Sequence, residues 1–136
     1  MQAQGQELPE ALLPPSPLAE YAGLRLVASE AGRATVVLPV SDAVLRDSGG
    51  IDNCAVTVLI EAAGAAAAAS DEPQDHPETS GETVELFVSF ARSAPESPLT
   101  AEARVVRRER HVRLCEVEVR DWNGDFVARG SLAQRA

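Results

Sequence analysis

Apolar and polar residues alternate along most of this chain, which is the pattern of β-strands that bury one face. The alternation predicts two strands before residue 41 and four strands after residue 82. Their expected ranges are residues 24–30, 33–40, 83–92, 99–108, 111–121 and 126–132. Ala31-Gly32 predicts a turn between the first two strands, and Asn123-Gly124 is the strongest hairpin signal in the chain.

A long apolar segment interrupts this alternation and predicts an α-helix from about Asn53 to Ala69. The segment is too short and too rich in alanine to span a membrane, so we expect a buried helix of a soluble protein. Its small side chains allow a sheet to approach the helix closely. A shorter helix is expected after Ser16, with Pro17 at its first position and Gly23 at its end.

The order of two strands, one long helix and four strands predicts an α+β fold, in which a single antiparallel sheet is covered by one buried helix. Residues 1–15 are polar and then rich in proline, so we expect a flexible N-terminal extension before one domain at residues 16–136. The acidic, proline-containing residues 71–80 are expected to form a surface loop between the helix and the third strand.

The charge of the chain narrows the classes of function. The 136 residues carry a formal net charge of −9, which argues against nucleic acid and anionic membranes as partners. All 12 basic residues are Arg. The absence of Lys excludes Schiff-base chemistry and a P-loop, because both need a lysine amine.

The cysteines and the N-terminus predict a cytoplasmic protein with reduced thiols. Residues 1–10 lack the basic and then apolar pattern of a signal peptide. Cys54 and Cys115 lie far apart, match no metal-binding spacing, and are accompanied by only two histidines, His76 and His111. We therefore expect neither a metal nor another cofactor, and we expect Cys54 to be a packed thiol rather than a nucleophile.

Glu61 is the only charged residue in the apolar run Ala55–Ala69. Burial in such a segment disfavours the charged form of a carboxylate, which suits it to general-base chemistry. The alternative is a carboxylate that is satisfied by the backbone or by an arginine, for example at a subunit interface. Asp52 precedes Glu61 by nine residues, which at about 100° per residue places the two side chains on opposite faces of the helix.

Five segments together resemble the hotdog-fold acyl-CoA thioesterases of the phenylacetate-pathway type. The resemblance covers about residues 16–136, and its segments are Pro17–Gly23, Leu59–Gly64, Val84–Ala94, Leu99–Val106 and Val117–Ala128. It implies a hotdog fold, in which one antiparallel sheet wraps around a long central helix. It also implies paired subunits with shared active sites, as a homodimer or a dimer of dimers.

The resemblance implies roles for residues at the helix start and beyond it. In this family a backbone N–H at the start of the helix holds the thioester carbonyl, and a carboxylate at the position of Glu61 acts as general base or nucleophile. The family's usual His-Gly-Gly is replaced here by Asp52-Asn53-Cys54. Asp52 and Asn53 are both good N-cap residues, and Asn53 with its amide is expected to help hold the thioester oxygen. The N–H groups near Asn53 and Cys54 are expected to polarise the thioester carbonyl. Thr83 matches a hydroxyl that orients the attacking water, and its alternative is an ordinary strand threonine.

Other residues are candidates for binding coenzyme A. Arginines cluster on the hairpin of the predicted fourth and fifth strands, where positive charge would suit the 3′-phosphate and the pyrophosphate. They are Arg104, Arg107, Arg108, Arg110 and Arg113. The alternative for this cluster is a solvated charged face. Trp122 can stack on adenine, and its alternative is an aromatic residue at the edge of the core.

The sequence therefore predicts an acyl-CoA thioesterase in which Glu61 activates water or attacks the thioester directly. A second hypothesis, motivated by the changed His-Gly-Gly motif, is a hotdog module that binds an acyl-CoA or aryl ligand without catalysis. A third is a dehydratase, because Leu59–Ala62 also resembles the helix of the acyl-carrier-protein dehydratases. It ranks last, because the His-containing loops of those enzymes are absent from the sequence.

Overall fold

The computed structural model describes residue 13 and residues 16–71 and 82–135. Its elements are α1 (Pro17–Ala22), β1 (Arg25–Glu30), β2 (Arg33–Leu38), α2 (Asn53–Ser70), β3 (Thr83–Phe90), β4 (Leu99–Arg108), β5 (Val112–Arg120) and β6 (Phe126–Arg135). A single turn of 3₁₀-helix at Asp42–Val44 lies inside the predicted loop between β2 and α2. The predicted N-terminal extension and most of the predicted acidic loop lie outside the described residues.

The six strands form one antiparallel sheet in the order β1-β2-β4-β5-β6-β3. Helix α2 lies across one face of this sheet and packs mainly against β2, β4 and β5. This is the predicted α+β arrangement. Because β1 and β3 are the two edge strands, each leaves one side of its backbone without a strand partner in a single chain.

Helix α1 begins and ends where the sequence predicts. The Ser16 side chain accepts a hydrogen bond from the Ala19 N–H at 3.2 Å, and Pro17 occupies the first helical position. Gly23 ends the helix with φ +79°, the left-handed conformation that glycine adopts without strain. Local sequence signals were sufficient here because every partner lies within one helical turn.

Helix α2 has the length and the mean hydropathy, 1.4 over 18 residues, of a helix that could cross a membrane. More than half of that span, 56%, is instead buried inside the fold. The buried side chains are mostly small, including the run Ala65–Ala68. The helix therefore serves as the core element of this domain, as the sequence predicts.

Two glycines let α2 and the sheet come close together. A Cβ atom on Gly64 would lie 2.6 Å from both terminal methyl groups of Leu132 on β6, and a Cβ on Gly130 would collide with Ile60 on α2. A side chain at either position would therefore force Leu132 or Ile60 to move. The expected close approach of helix and sheet is confirmed.

We expect Gly64→Ala to destabilise the fold although alanine is the better helix former. Alanine gains about 1 kcal/mol over glycine inside a helix, whereas overpacking a filled core costs about 1–3 kcal/mol. Urea unfolding of Gly64→Ala, Leu132→Ala and the double variant measures the coupling between the two positions. We expect the double variant to lose less free energy of unfolding than the sum of the two single losses. A Gly64→Ala variant that is more stable than the wild type would contradict the predicted collision with Leu132.

The apolar face of β3 departs from the prediction. The alternation predicts that Val84, Leu86, Val88 and Phe90 share one apolar face. Leu86 and Phe90 pair with Leu132 and Ala128 and are on the face of the sheet that carries α2, yet they are 37% and 38% exposed. Val84, at an irregularity in the pairing of β3 with β6, is 45% exposed. Only Val88 on this face is half-buried. The reason is that α2 covers the middle of the sheet and leaves the edge strand beside β6 uncovered.

The turn between β5 and β6 is organised by the buried carboxylate of Asp121. One oxygen accepts hydrogen bonds from the Asn123 and Asp125 N–H groups at 2.9 and 3.0 Å, and the other pairs with Arg92 at 2.6 Å. These donors, Arg92 first, lower the pKa of Asp121 below its ordinary value. Gly124 takes φ +85° in the predicted hairpin turn. The turn is thereby held to Arg92, just beyond the end of β3.

Candidate functional site

The start of α2 is capped by Asp52. Its Oδ1 accepts a hydrogen bond from the Cys54 N–H at 2.7 Å, and its carbonyl accepts from the Val56 N–H at 3.1 Å. The N–H of Asp52 itself donates to the Val44 carbonyl at 2.8 Å, which fixes the cap to the preceding loop. Of the two predicted N-cap residues, Asp52 is the cap and Asn53 is the first residue of the helix.

This cap changes which backbone groups can bind a ligand. The Cys54 N–H, which the sequence led us to expect beside a thioester oxygen, is occupied by the Asp52 carboxylate. Within the described residues, the N–H groups of Asn53 and Ala55 have no hydrogen-bond acceptor. Helix α2 therefore still presents unpaired N–H groups and the positive end of its dipole at its first turn.

Glu61 is exposed in the single chain, so the expectation that it is buried is wrong for one subunit. Its neighbours on the helix surface, Val58 and Ala62, are half-buried, whereas Ile60 is fully buried against the sheet. The apolar composition around Glu61 reflects a helix that buries one side and leaves a strip of the other side uncovered. Tertiary placement of α2, rather than its hydropathy, decides the exposure of this carboxylate.

Cys54 and Glu61 lie on the same side of α2. Seven residues separate them, which is close to two full turns and a rise of about 10 Å. Both side chains are exposed. A single carbonyl carbon cannot contact the first turn of the helix and Glu61 of the same chain at that separation.

Apolar side chains on the outer side of α2 and on the α2 side of the edge strand β3 are incompletely covered in the single chain. Together with Glu61 they are referred to as the α2–β3 surface. Its members are Val58, Glu61, Ala62, Leu86 and Phe90. A group of exposed apolar side chains usually marks an interface or a ligand site.

Thr83 begins β3, and its hydroxyl accepts a hydrogen bond from the side-chain amide of Gln134 on β6. Gln134 is fully buried, and its Oε1 has no hydrogen-bond partner. The contact with Gln134 is the structural role of an ordinary strand threonine. The described contacts include none between Thr83 and Glu61, so its role in orienting water stays a prediction.

The five arginines do not form one open cluster, and most of them are paired with carboxylates. Arg104 pairs with Glu116 on the neighbouring strand at 3.1 Å, and Arg107 pairs with Glu109. Across the described residues, Arg110 is the one member of the set with no hydrogen bond or ion pair. The solvated-face alternative therefore describes Arg104 and Arg107.

Arg108 and Arg113 both bind Asp71 at the end of α2. Arg108 donates to both carboxylate oxygens of Asp71 at 2.6–3.0 Å, and Arg113 donates from Nε at 3.0 Å. The hydrogen bonds that Arg108 donates to Asp71, and next the charge of Asp71, raise the pKa of Arg108 above its ordinary value. Because Asp71 lies 18 residues beyond Asn53, these arginines are about 27 Å from the helix start and about 15 Å from Glu61 along the axis.

The two cysteines occupy contrasting environments. Cys115 is buried beneath α2, where its thiol donates to the Gly64 carbonyl at 3.6 Å. Burial and, next, the charge of Asp71 raise the pKa of this thiol to about 12, which makes it an inert core residue. Cys54 is exposed on the first turn of α2, so the prediction that it is a packed thiol is wrong.

Trp122 is 77% exposed and is therefore not the edge-of-core residue that served as its alternative. It lies in the turn organised by Asp121, and its backbone N–H donates to the Ser97 hydroxyl at 3.1 Å. Adenine stacking on Trp122 stays a prediction. The described residues contain no cluster of three potential metal ligands.

Comparison with known proteins decides the family. A family model described as the acyl-CoA thioesterase N-terminal domain matches residues 54–133, which is more than half of the chain. This chain belongs to that thioesterase family. The match includes Glu61 and strands β3 to β5, and it confirms the resemblance noted from the sequence. No curated protein matches this chain by sequence.

Solved structures share the fold of this chain. AziG from S. sahachiroi shares 24% identity over 88% of this chain and 95% of its own, with a TM-score of 0.77. A hypothetical thioesterase from Streptococcus pneumoniae, solved with coenzyme A, shares 15% identity over 87% and 90%, with a TM-score of 0.75. The E. coli PaaI protein of the phenylacetic acid degradation operon shares 19% over 88% and 87%, with a TM-score of 0.72. Their common architecture is the hotdog fold, which confirms the predicted fold class.

Two features of the site were not predicted from the sequence. Arg46 and Gly50 lie close together in the loop before α2, and the free N–H of Ala55 replaces that of Cys54 at the helix start. The consecutive glycines at positions 49 and 50, both with positive φ, are a sequence signal of the sharp turn. The position of the Arg46 side chain against that turn could not be predicted from the sequence.

Proposed function

We propose that this chain hydrolyses acyl-CoA thioesters and that Glu61 is its general base or nucleophile. One observation carries the proposal. This thioesterase-family domain has an exposed carboxylate on its central helix, and the start of the same helix has unpaired N–H groups. A helix start of this kind stabilises negative charge that develops on a carbonyl oxygen. The chemistry needs no metal or other cofactor.

The reaction can proceed in either of two ways at this carboxylate. As a general base, Glu61 takes a proton from water while the water oxygen bonds to the thioester carbon, and the C–S bond then breaks to release coenzyme A as a thiol. As a nucleophile, Glu61 forms an anhydride with the acyl group and expels the thiolate, and water then hydrolyses the anhydride. The N–H groups of Asn53 and Ala55 are the proposed donors to the carbonyl oxygen.

Two copies of the chain are needed to bring these groups together in this proposal. The helix start and Glu61 of one chain are separated by about 10 Å, and the α2–β3 surface, which includes Glu61, is incompletely covered. Pairing of the two edge strands β3 would cover that surface and bring the helix start of one copy towards Glu61 of the other. The proposed assembly is therefore a homodimer, or a dimer of dimers, with active sites shared between copies.

The distances along α2 also suit coenzyme A as the leaving group. Glu61 and the arginines at the end of α2 are about 15 Å apart along the axis, so one ligand could reach both across its pantetheine arm. Arg110 is the best candidate for a phosphate because it has no acidic partner among the described residues. Arg108 and Arg113 would contribute only the part of their charge that Asp71 leaves uncompensated.

A module that binds acyl-CoA without hydrolysing it is the second candidate function. One specific observation favours it, since the Asp52 carboxylate occupies the Cys54 N–H and places negative charge beside the helix start. A developing oxyanion would be opposed by that charge. Tight binding of acyl-CoA without release of free thiol is the result that this second function predicts.

The direct test is to incubate the purified protein with short, medium, long and aryl acyl-CoAs and to follow free thiol. Turnover of any member that requires Glu61 supports hydrolysis and identifies the acyl class. Binding of the same compounds, measured by calorimetry, is followed in parallel. Binding without turnover across the panel would favour the non-catalytic module, and neither binding nor turnover would contradict both functions.

We expect Leu86→Glu to weaken the proposed dimer by at least about 100-fold, because two buried leucines, one from each copy, contribute about 1.5–3 kcal/mol apiece. Phe87→Glu is the matched control. Phe87 is 65% exposed and pairs with Ser131, on the face opposite α2. Sedimentation equilibrium should show dissociation only for Leu86→Glu, and equal behaviour of both variants would contradict pairing through this face.

A further inference from the structure

The loop between β2 and α2 is a tight, hydrogen-bonded turn. The Arg46 N–H donates to the Gly50 carbonyl, and the Gly49 N–H donates to the Arg46 carbonyl, both at 2.9 Å. A β-bridge between Leu45 and Ile51 closes the turn, and the Ile51 N–H donates to the Ala94 carbonyl at 3.2 Å. The turn therefore has a fixed position immediately before the first residue of α2.

The guanidinium of Arg46 folds back over this turn. Its Nη2 lies 2.9 Å from the place where a Cβ on Gly50 would be, and the Ala94 carbonyl oxygen lies 2.5 Å from the same place. Only glycine leaves room for the arginine side chain beside the Ala94 carbonyl. Arg46 is half-buried, and its Nε is buried without a hydrogen-bond partner. Such an unsatisfied buried donor needs an explanation, and a bound ligand is one.

Arg46 also has no counter-charge in the described part of the chain. Three acidic residues lie near it in sequence, namely Asp42, Asp47 and Asp52. No ion pair joins any of them to Arg46, and Asp52 is engaged as the helix cap. In a chain with a net charge of −9, Arg46 is held half-buried, and the described residues supply no anion for it.

We propose that Arg46 binds a carboxylate carried by the acyl group of the substrate, so that this enzyme prefers thioesters of dicarboxylic acids. The proposal rests on the proposed thioesterase function. A guanidinium forms two parallel hydrogen bonds with a carboxylate, and a rigid loop lowers the cost of holding it in place. Arg46 lies six residues before Asp52, the cap of the helix start where the thioester carbonyl is proposed to bind.

The location of Arg46 argues for binding of an acyl carboxylate and against binding of the coenzyme A phosphates. The phosphates and the thioester are at opposite ends of the pantetheine arm. Arg46 precedes the start of α2, where the thioester carbonyl is proposed to lie, whereas the arginines around Asp71 are at the other end of the helix. A carboxylate on the acyl group is the anion that reaches Arg46 from a thioester bound at the helix start.

The test compares acyl-CoAs that differ only in a terminal carboxylate, such as hexanoyl-CoA with adipyl-CoA and octanoyl-CoA with suberyl-CoA. We expect the wild-type kcat/KM to be higher for the carboxylated member of at least one pair. Arg46→Gln should lower kcat/KM for that member about ten- to hundredfold, the range for a lost charged hydrogen bond, and leave the uncharged member within about twofold. Arg46→Lys should retain part of the preference.

Arg129→Gln is the matched control, because Arg129 is exposed on β6 and has no ion pair within the described residues. Calorimetric binding of the same pairs to the Glu61→Gln variant, with and without Arg46→Gln, tests the preference without turnover. Equal kcat/KM and equal affinity within every pair would overturn the proposal while leaving the thioesterase function intact. Equal losses for both members in Arg46→Gln, with an unchanged melting temperature, would also overturn it, since they would assign Arg46 to the shared thioester.

Discussion

Glu61→Gln is expected to lower kcat for the best acyl-CoA substrate by about 10²–10⁴-fold, the usual contribution of a general base. Glutamine has nearly the same size and shape as glutamate and still forms hydrogen bonds. It can neither accept a proton from water nor attack the thioester. Because Glu61 is exposed in the single chain, the substitution should not unfold it. The measurement is the release of free thiol, with KM determined separately from kcat.

The control for Glu61→Gln is Glu102→Gln on β4, which is also exposed but lies on the face of the sheet opposite α2. Glu102→Gln should leave kcat unchanged, and Glu61→Asp should retain part of the activity because it keeps a carboxylate. A Glu61→Gln enzyme with unaltered kcat would rule out Glu61 as base and as nucleophile. It would leave the family assignment, which rests on the matched sequence and the fold, unaffected.

Gly50→Ala is expected to lower the free energy of unfolding by about 2–5 kcal/mol. Gly50 has φ +87°, a conformation that costs an alanine about 1–2 kcal/mol. An added Cβ would also lie 2.5 Å from the Ala94 carbonyl oxygen, and such overpacking adds about 1–3 kcal/mol. Since the Ala94 carbonyl accepts from the Ile51 N–H just before α2, the strain should also displace the helix start.

Gly49→Ala separates the two contributions to this loss. Gly49 has φ +94° but nothing within 4 Å of a Cβ atom, so it should show the backbone strain alone, about 1 kcal/mol. Urea unfolding of both variants gives the difference directly. Equal losses for Gly49→Ala and Gly50→Ala would mean that the Ala94 carbonyl moves away from the added methyl group without lowering the free energy of unfolding. The loop would then be less rigid than its hydrogen bonds indicate.

Local signals in the sequence predicted most elements of the fold. The cap at Ser16, the glycine at position 23 and the Asn123-Gly124 turn act through neighbours in sequence, and each is confirmed. The alternation of apolar residues also predicted which side chains of each strand face α2, because side chains alternate between the two faces of a strand. What it could not predict is whether α2 reaches far enough to cover them, as β3 demonstrates.

The candidate site was predictable in part. The sequence identified Asp52 and Asn53 as the two candidate caps and Glu61 as an isolated carboxylate, because these inferences depend on neighbouring residues alone. It assigned five arginines to one group, but their ion pairs with Asp71, Glu109 and Glu116 divide them. The ion pairs of these arginines join residues up to 42 positions apart, so no local pattern could have revealed all of them.

The sequence by itself therefore determined the α+β class, the order of the elements and the position of the central helix, because hydrophobic periodicity and turn residues specify these locally. Only the tertiary structure decided the exposure of Glu61, the occupation of the Cys54 N–H by Asp52 and the position of Arg46 against Gly50. These depend on how α2 is placed over the sheet and on how the preceding loop closes. That placement is set by the packing of the whole core, which is a property of distant residues brought together by folding.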